Sequence, residues 1–475
     1  MLMHLSSLPS GYSIGSLGKY AYRFIDFLSL SGFSYWQLLP LCVTDAHASP
    51  YKSRGLYSLN PYFLDLEELY RKGLLTSDEL ICEYERSPYL VDYDRLYRER
   101  LPLLYKAAMR VKERGEISAF INERPRLREV CEFLALSDTY KRPFREWQKD
   151  AVPPSDRLFF WQFVHYEFLC EWKRLRTYAN SHGVELIGDL PIYPDYESAD
   201  VFYNPDCFLL DPDMLPRAVS GVPPDSFSES GQLWGNPLYR FEEMAKNGYA
   251  LWRERVRFAF EMYDAVRIDH FRAFDSFYEI PRESDSARGG KWHTGPGLDF
   301  VRALNEWREG RTVIAEDLGS DTYGARRLIS EGGLFGMRVI QFGARGDSLH
   351  LPHSWDENVF AYTGTHDNNT LLGAIWEMEA YAKERLFDYF NIRHTDPSLA
   401  VTDIIKGMLA SRARAVIIPV QDLLCFGADT RMNTPGEPFG NWRYRITEDN
   451  LDSLLASFGK WKKINLLYDR LGFER

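Results

Sequence analysis

The stretch AVRIDHFRAF, residues 265–274, begins as a buried β-strand and ends in charged and aromatic residues. Two further stretches have the same form, TVIAEDLG at 312–319 and AYTGTHDNN at 361–369. Each places an acidic residue after its apolar run, and these residues are Asp269, Glu316 and Asp367. In an α/β barrel the carboxyl ends of the strands meet at the catalytic face. The three carboxylates therefore predict an enzyme site at one rim of a barrel.

Runs of apolar and β-branched residues recur along the whole chain and predict eight strands. Several are nearly continuous, as is typical of parallel strands buried on both faces. Helical patterns lie between them, for example at 20–31, which stops at Gly32, and at 249–262. This alternation predicts an α/β protein with a (β/α)8 TIM barrel. The predicted strands are 2–6, 34–40, 185–190, 264–269, 312–317, 337–343, 359–365 and 415–420.

The uneven spacing of the strands predicts insertions into a single catalytic domain that spans 1–475. The interval between the second and third predicted strands is too long for a single helical connection between neighbouring parallel strands, so we expect an inserted helical subdomain at about 67–180. Residues of about 191–248 are rich in Pro, Gly, Ser and Asp, and predict a loop-rich insertion over the barrel mouth. We expect no separate C-terminal β-domain.

Composition excludes several classes of partner. The net charge is −11, with 57 basic and 68 acidic residues and no basic run, so we expect neither nucleic acid nor a membrane surface as partner. No segment approaches 18 apolar residues, and the start lacks the features of a signal peptide. The six cysteines are scattered, which predicts reduced thiols in a cytoplasmic protein, with no disulfide framework and no metal site. We expect no cofactor.

The residues around the acidic positions suggest different protonation states. Strand side chains alternate, so Arg267 and Asp269 point the same way, and the arginine is expected to lower the pKa of that carboxyl. Glu316 follows Val-Ile-Ala, and these apolar neighbours are expected to raise its pKa toward that of a general acid. His366 and Asp367 both lie past a strand end, where alternation no longer fixes the direction of a side chain.

Ten motifs give the chain a resemblance to the amylomaltase family, the 4-α-glucanotransferases or disproportionating enzymes of the α-amylase superfamily, nearly from end to end. Ser16, Pro194 and Ala273 depart from the family pattern, and none of them is a presumed catalytic carboxylate. The motifs are SLPSGYSIGSLG (7–18), YWQLLPL (35–41), SPY (49–51), IGDLPIY (187–193), SADV (198–201), GVPPDSFSESGQLWGNPLY (221–239), RIDHFRAF (267–274), AEDLG (315–319), TGTHDN (363–368) and RMNTPG with GNW (431–442).

The resemblance implies a retaining double displacement on maltooligosaccharides and other α-1,4-glucans, with glucose as one acceptor. It implies that Asp269 is the nucleophile, that Glu316 is the general acid/base, and that Asp367 clamps sugar hydroxyls in the transition state. Further substrate-binding residues are expected on the same ground. They are Tyr51 as an aromatic platform, Asp189, Trp234 in a loop over the cleft, Arg267, His270, His366 and Asn433.

Three alternatives stay open at this stage. A maltooligosaccharide hydrolase of the same superfamily shares all three carboxylates with a transferase. A metal-dependent barrel lyase would use the same acids as Mg²⁺ ligands, although the adjacent Arg267 and the absence of an obvious catalytic lysine at a strand end argue against it. A non-catalytic glucan-binding protein would not need all three acids.

Overall fold

The computed structural model describes residues 1–45, 48–148, 150–224, 230–319, 322–437 and 439–471. These residues form eleven strands, most of them three to six residues long. The strands are β1 (Tyr35–Gln37), β2 (Glu185–Leu190), β3 (Ala218–Val222), β4 (Gln232–Pro237), β5 (Ala265–Ile268), β6 (Ser276–Pro281), β7 (Lys291–Thr294), β8 (Thr312–Ala315), β9 (Gly336–Val339), β10 (Val359–Tyr362) and β11 (Ala415–Ile417).

Parallel strands form a closed barrel. β1, β2, β5 and β8 pair side by side, and so do β9, β10 and β11. The Ala315 N–H donates to the Phe335 carbonyl at 2.7 Å, which joins β8 to the segment before β9. At the other seam Leu2 donates to the Ile418 carbonyl at 2.9 Å and also bridges Gln37 in β1. The segment around Leu2 therefore takes the place of the first strand, and the predicted (β/α)8 barrel is confirmed.

Helices connect the barrel strands. The first α-helix, Lys19–Ser31, shows how the sequence determines where a helix ends. It ends where Gly32 adopts a left-handed φ of 78°, and the Gly32 N–H caps the carbonyls of Leu28 and Ser29. The α-helices are Lys19–Ser31, Leu66–Arg71, Ser77–Leu80, Tyr93–Arg95, Leu101–Met109, Arg114–Asn122, Pro125–Tyr140, Ser155–Ser181, Ala199–Tyr203, Phe241–Lys246, Ala250–Met262, Gly297–Arg308, Tyr323–Gly332, Ile340–Ala344, Leu371–Glu377, Ala380–Tyr389, Pro397–Leu409, Val420–Leu423, Glu448–Ala456 and Phe458–Leu467.

The interval between β1 and β2 is helical from Leu66–Arg71 to Ser155–Ser181. The last of these helices contacts both Pro125–Tyr140 and the barrel, where the Trp172 indole donates to the Met262 carbonyl at 2.8 Å. The assignment of about 67–180 as an inserted subdomain of a single domain remains a prediction. After β11 the described residues form helices and loops, with no separate β-domain. None of the described helices combines the length and the apolar character that a membrane span requires.

The region of about 191–248 contains more regular structure than the sequence suggests. β3 and β4 lie within it and pair with β6 and β7 in an antiparallel sheet of order β4-β3-β6-β7. The loop-rich insertion at about 191–248 remains a prediction, but the sequence did not predict these two strands. β3 and β4 are short and contain Gly or Pro, and their register shifts between Val219 and Gly221, so the alternation that identifies a strand is interrupted.

The interior of the barrel explains why polar side chains gather at one end. Apolar side chains such as Ile187, Ala265 and Ile314 fill the inside of the barrel. Because strand side chains alternate, residues two positions further along each strand face the same way. Those positions are occupied by Asp189, Arg267 and Glu316, at or just beyond the carboxyl ends of β2, β5 and β8.

Candidate active site

Arg267 forms the centre of a buried ionic cluster. It lies directly opposite Asp189 in the register of β2 and β5, and its Nη1 donates to both Asp189 oxygens at 2.7 Å. Its Nη2 donates to Asp269 Oδ1 at 2.9 Å and lies 3.6 Å from Glu316 Oε2. The Asp189 side chain is only 1% exposed. Asp189 therefore fixes the guanidinium, and the guanidinium in turn positions the other two carboxyl groups.

Asp269 and Glu316 lie close together at the barrel rim. Asp269 Oδ1 and Glu316 Oε2 both contact Nη2 of Arg267. The distance between these two oxygens therefore cannot exceed the sum of the two contact distances. Carboxyl groups are about 5–5.5 Å apart in retaining glycosidases and about 6.5–9.5 Å apart in inverting ones. This upper bound lies at the lower limit of the inverting range, so the two oxygens are close enough for the retaining spacing.

Local hydrogen bonds hold Glu316 in place while both acids stay accessible. Glu316 Oε2 accepts from the His270 backbone N–H at 2.6 Å, and the Glu316 N–H donates to the Ile268 carbonyl at 3.1 Å. The side chains of Asp269 and Glu316 are 24% and 15% exposed. A ligand in the barrel mouth can therefore reach both carboxyl groups.

Burial shifts the pKa of both acids upward. It raises the pKa of Asp269 well above its usual range, although Arg267 acts in the opposite direction and Glu316 adds to the increase. Burial also raises the pKa of Glu316, again against the effect of Arg267. The expectation of a low pKa for Asp269 was wrong, because the loss of hydration outweighs the neighbouring arginine. The expected upward direction for Glu316 is confirmed.

Asp367 lies in the loop between β10 and helix Leu371–Glu377, and two side chains hold it. Asn433 Nδ2 donates to Asp367 Oδ1 at 2.6 Å, and His366 Nε2 lies 3.3 Å from Asp367 Oδ2. Arg431 donates to the Asp367 backbone carbonyl at 2.6 Å. Burial lowers the pKa of His366, which favours the neutral imidazole. The sequence alone could not show which way the side chains of His366 and Asp367 point.

Tyr51 joins the Asp367 side of the site to the arginine cluster. Its hydroxyl donates to Asp189 Oδ2 at 2.7 Å, and its ring stacks on His366 at 4.9 Å with an interplanar angle of 16°. One face of Tyr51 is therefore already covered by a protein side chain. Trp442 completes the aromatic cluster, 5.9 Å from Tyr51 and 5.8 Å from His366.

The opposite side of the site contains His270 and Trp234. Their rings meet edge to face at 4.8 Å, and the Trp234 indole donates to Gln232 at 3.0 Å. Burial, helped by Arg272 and Arg267, lowers the pKa of His270 to about 3, so its imidazole is neutral. Trp234 lies on β4, whereas residues 225–229 of the same predicted overhanging segment lie outside the described residues.

The structure brings all ten predicted site residues to the barrel mouth, directly or through a neighbour. Sequence reasoning did not single out Trp442 or Arg431, although both belong to the quoted motifs GNW and RMNTPG. Arg267 already pairs with Asp269 and Glu316, two of the three acids that the lyase alternative would use as Mg²⁺ ligands. The arrangement therefore disfavours a magnesium-dependent lyase, and two close acids beside a third carboxylate suit glycosyl transfer or hydrolysis.

Comparisons with known proteins agree with this geometry. A family model described as 4-alpha-glucanotransferase matches residues 3–451. A 4-alpha-glucanotransferase of Aquifex aeolicus is 40% identical over 466 residues, covering 94% of this chain and 95% of the relative. A chloroplastic/amyloplastic 4-alpha-glucanotransferase of Solanum tuberosum is 37% identical over 500 residues, covering 99% of this chain and 86% of that protein.

A solved structure gives the same result. The amylomaltase from Streptococcus agalactiae in complex with acarbose superposes with a TM-score of 0.93 at 32% identity, covering 99% of this chain and 98% of that one. The chain therefore belongs to the 4-alpha-glucanotransferase family.

Proposed function

We propose that this chain moves segments of α-1,4-glucans and maltooligosaccharides from a donor to the 4-hydroxyl of an acceptor glucan or glucose, by retaining double displacement. The observation that carries the proposal is the contact of one arginine, Arg267, with both Asp269 and Glu316 at the open end of the barrel. The family relationship supports the reaction type, and the short spacing of the two acids supports retention.

Asp269 and Glu316 divide the chemistry of the first step. Glu316, whose pKa is raised by burial, acts as the general acid and gives its proton to the departing glycosidic oxygen. Asp269 attacks the anomeric carbon as a carboxylate, which forms a covalent β-linked glycosyl-enzyme and releases the leaving glucan. Arg267 favours the ionised form of Asp269 against burial and holds its Oδ1 in place. The first half-reaction therefore leaves Glu316 ionised.

The second step reverses these roles. Ionised Glu316 takes the proton from the 4-hydroxyl of the acceptor, and the acceptor oxygen displaces Asp269 from the anomeric carbon. Two inversions at this carbon give net retention. Transfer exceeds hydrolysis when the acceptor is held in attacking position and water is kept away. We expect Trp234, whose ring contacts His270, to cover that side of the intermediate.

The remaining site residues recognise the sugar. Asp367, oriented by Asn433 and His366, accepts from sugar hydroxyls, and neutral His270 and His366 act as hydrogen-bond partners without adding charge. Tyr51 and Trp234 offer aromatic surface to the C–H faces of glucose rings. Asp189 acts through Arg267, since both of its oxygens are bonded to that guanidinium.

We also propose that the enzyme works in the cytoplasm. The six cysteines are all free thiols in the structure, as expected for a reducing compartment. Plant relatives with chloroplastic forms show that members of the family also work in another compartment.

The product pattern from maltotriose tests the proposed function. Incubation of the pure protein should give glucose and a ladder of longer glucans with a constant number of reducing ends. A rise in reducing ends with every cleavage would instead identify the hydrolase. Asp269→Asn should abolish the ladder, whereas the exposed control Asp299→Asn should retain it. Activity that is lost on exhaustive chelation and restored by Mg²⁺ would support the alternative hypothesis of a metal-dependent lyase.

A further inference from the structure

A second cavity lies outside the catalytic cleft, on the flank of the barrel. It has a volume of about 670 Å³ and lies between the loop at 10–18, the start of helix Lys19–Ser31, helix Leu66–Arg71 and the middle of helix Ser155–Ser181. None of the cleft residues described above lines it. Its volume falls within the range of about 300–1,000 Å³ that is typical of small-molecule sites. We call it the tyrosine groove.

Aromatic side chains form much of the groove wall. Tyr12, Tyr20, Tyr22 and Tyr84 line it, and the rings of Tyr12 and Tyr84 lie 6.0 Å apart at an angle of 39°. Tyr84 is 49% exposed although it belongs to this cluster. A tyrosine ring offers an apolar face with a polar hydroxyl at its edge, which matches the C–H faces and rim hydroxyls of a sugar ring.

The charges in the groove favour a neutral ligand. Its acidic side chains are those of Asp65, Glu67, Glu68 and Glu171, and its basic ones are those of Lys19, Arg71 and Arg174. Arg71 lies 2.6 Å from Glu68, and Arg174 lies 3.4 Å from the same carboxylate. Because the guanidinium groups are already neutralised, an anionic ligand would meet excess negative charge. A ligand with many uncharged hydroxyls can bond both to the carboxylates and to the arginine N–H groups.

A buried acid lines the groove and lacks a protein partner at one oxygen. Glu171 Oε2 accepts from the Asp65 N–H at 3.0 Å, but Glu171 Oε1 has no hydrogen-bond partner among the described residues. The Glu171 side chain is almost fully buried, and burial raises its pKa well above the usual range. A buried polar atom normally finds a partner, and Glu171 is one of the side chains that line the groove, so its free acceptor is available to a hydroxyl group bound there.

We propose that the tyrosine groove binds a segment of an α-1,4-glucan chain outside the catalytic cleft. The inference rests on the proposed function, because the ligand is the same uncharged polymer that the cleft acts on. A long donor bound in the groove stays near the enzyme between turnovers, so the groove favours long glucans over maltotriose.

The test compares binding with turnover. Tyr84→Ala combined with Arg174→Ala changes two exposed side chains of the groove, and Tyr89→Ala, 63% exposed and not lining the groove, serves as the matched control. In an Asp269→Asn background, which prevents turnover, calorimetric titration with maltoheptaose should show two binding events per chain. The groove substitutions should weaken one event by about tenfold or more, and the control should keep both events.

The same substitutions with Asp269 intact separate the two proposals. Maltotriose turnover should be unchanged, and KM for soluble amylose should rise. In the titration, a single binding event in the Asp269→Asn parent, or two undiminished events in the groove variant, would overturn the groove proposal. The proposed function would still stand if the protein with Asp269 intact gave the maltotriose ladder. A parent without a ladder contradicts the proposed function, whatever the titration shows.

Discussion

The bond between Asp189 and Arg267 gives the sharpest quantitative prediction. Asp189→Asn keeps the shape of the side chain but removes its charge and turns one acceptor into a donor that faces Arg267 Nη1. A hydrogen bond to a charged group contributes about 1.5–3 kcal/mol, and breaking a buried ion pair costs about 3–5 kcal/mol. Arg267 keeps its contacts with Asp269 and Glu316. We therefore expect a loss of about 2–3 kcal/mol in the free energy of unfolding.

The same change should affect catalysis, because Asp189 fixes the guanidinium that positions both catalytic acids. A loss of about 2.7 kcal/mol in transition-state stabilisation corresponds to about a hundredfold fall in kcat. The assays are denaturant unfolding and the initial rate of glucose release from maltotriose. Asp200→Asn is the matched control, since Asp200 is buried and accepts from the Leu56 N–H outside the cleft. The control should lose stability but keep kcat. If Asp189→Asn retained kcat within about threefold, the positioning role would be refuted.

Three further predictions follow from the acids and their partners. Since burial raises the pKa of Asp269, which attacks as a carboxylate, kcat/KM should fall on the acid side at a pH above the ordinary carboxyl range, and an acid limb near pH 4 would contradict this. An acid whose pKa is raised in the folded state contributes stability that is present at low pH and lost as the pH rises through that pKa. Asp269→Asn should therefore stabilise the protein by about 1 kcal/mol at neutral pH but not near pH 4, as measured by denaturant unfolding. Asn433→Ala removes the hydrogen bond to Asp367 Oδ1 and should lower kcat/KM for maltotriose by about tenfold, with thermal unfolding little changed; an unaltered kcat/KM would show that Asp367 needs no such support.

Much of the barrel could be predicted because its strands obey simple rules. Nearly continuous apolar runs predicted the parallel strands, and the alternation of strand side chains put Arg267 and Asp269 on one side, where they form a hydrogen bond. The sequence did not predict the antiparallel sheet because β3 and β4 are short and their register is irregular. Local pattern is therefore informative where a strand is continuous and fails where a bulge interrupts it.

The electrostatics of the site needed three dimensions. The sequence shows Arg267 two residues before Asp269, but it does not show that Asp189 uses both oxygens on the same arginine or how deeply the cluster is buried. The depth of burial decides the direction of the pKa of Asp269. The contacts of His366 with Tyr51 and Asp367 also depend on loops that are remote in sequence.

The identity of the nucleophile is the claim on which the rest depends. Glu316→Gln should slow breakdown of the glycosyl-enzyme, and a maltooligosyl fluoride needs little acid assistance to form it. Mass spectrometry of the trapped and digested protein should then place one glucan on the peptide that contains 265–274, with the fragment ions assigning it to Asp269. A glucan attached to another residue, or no covalent adduct while turnover continues, would contradict the account.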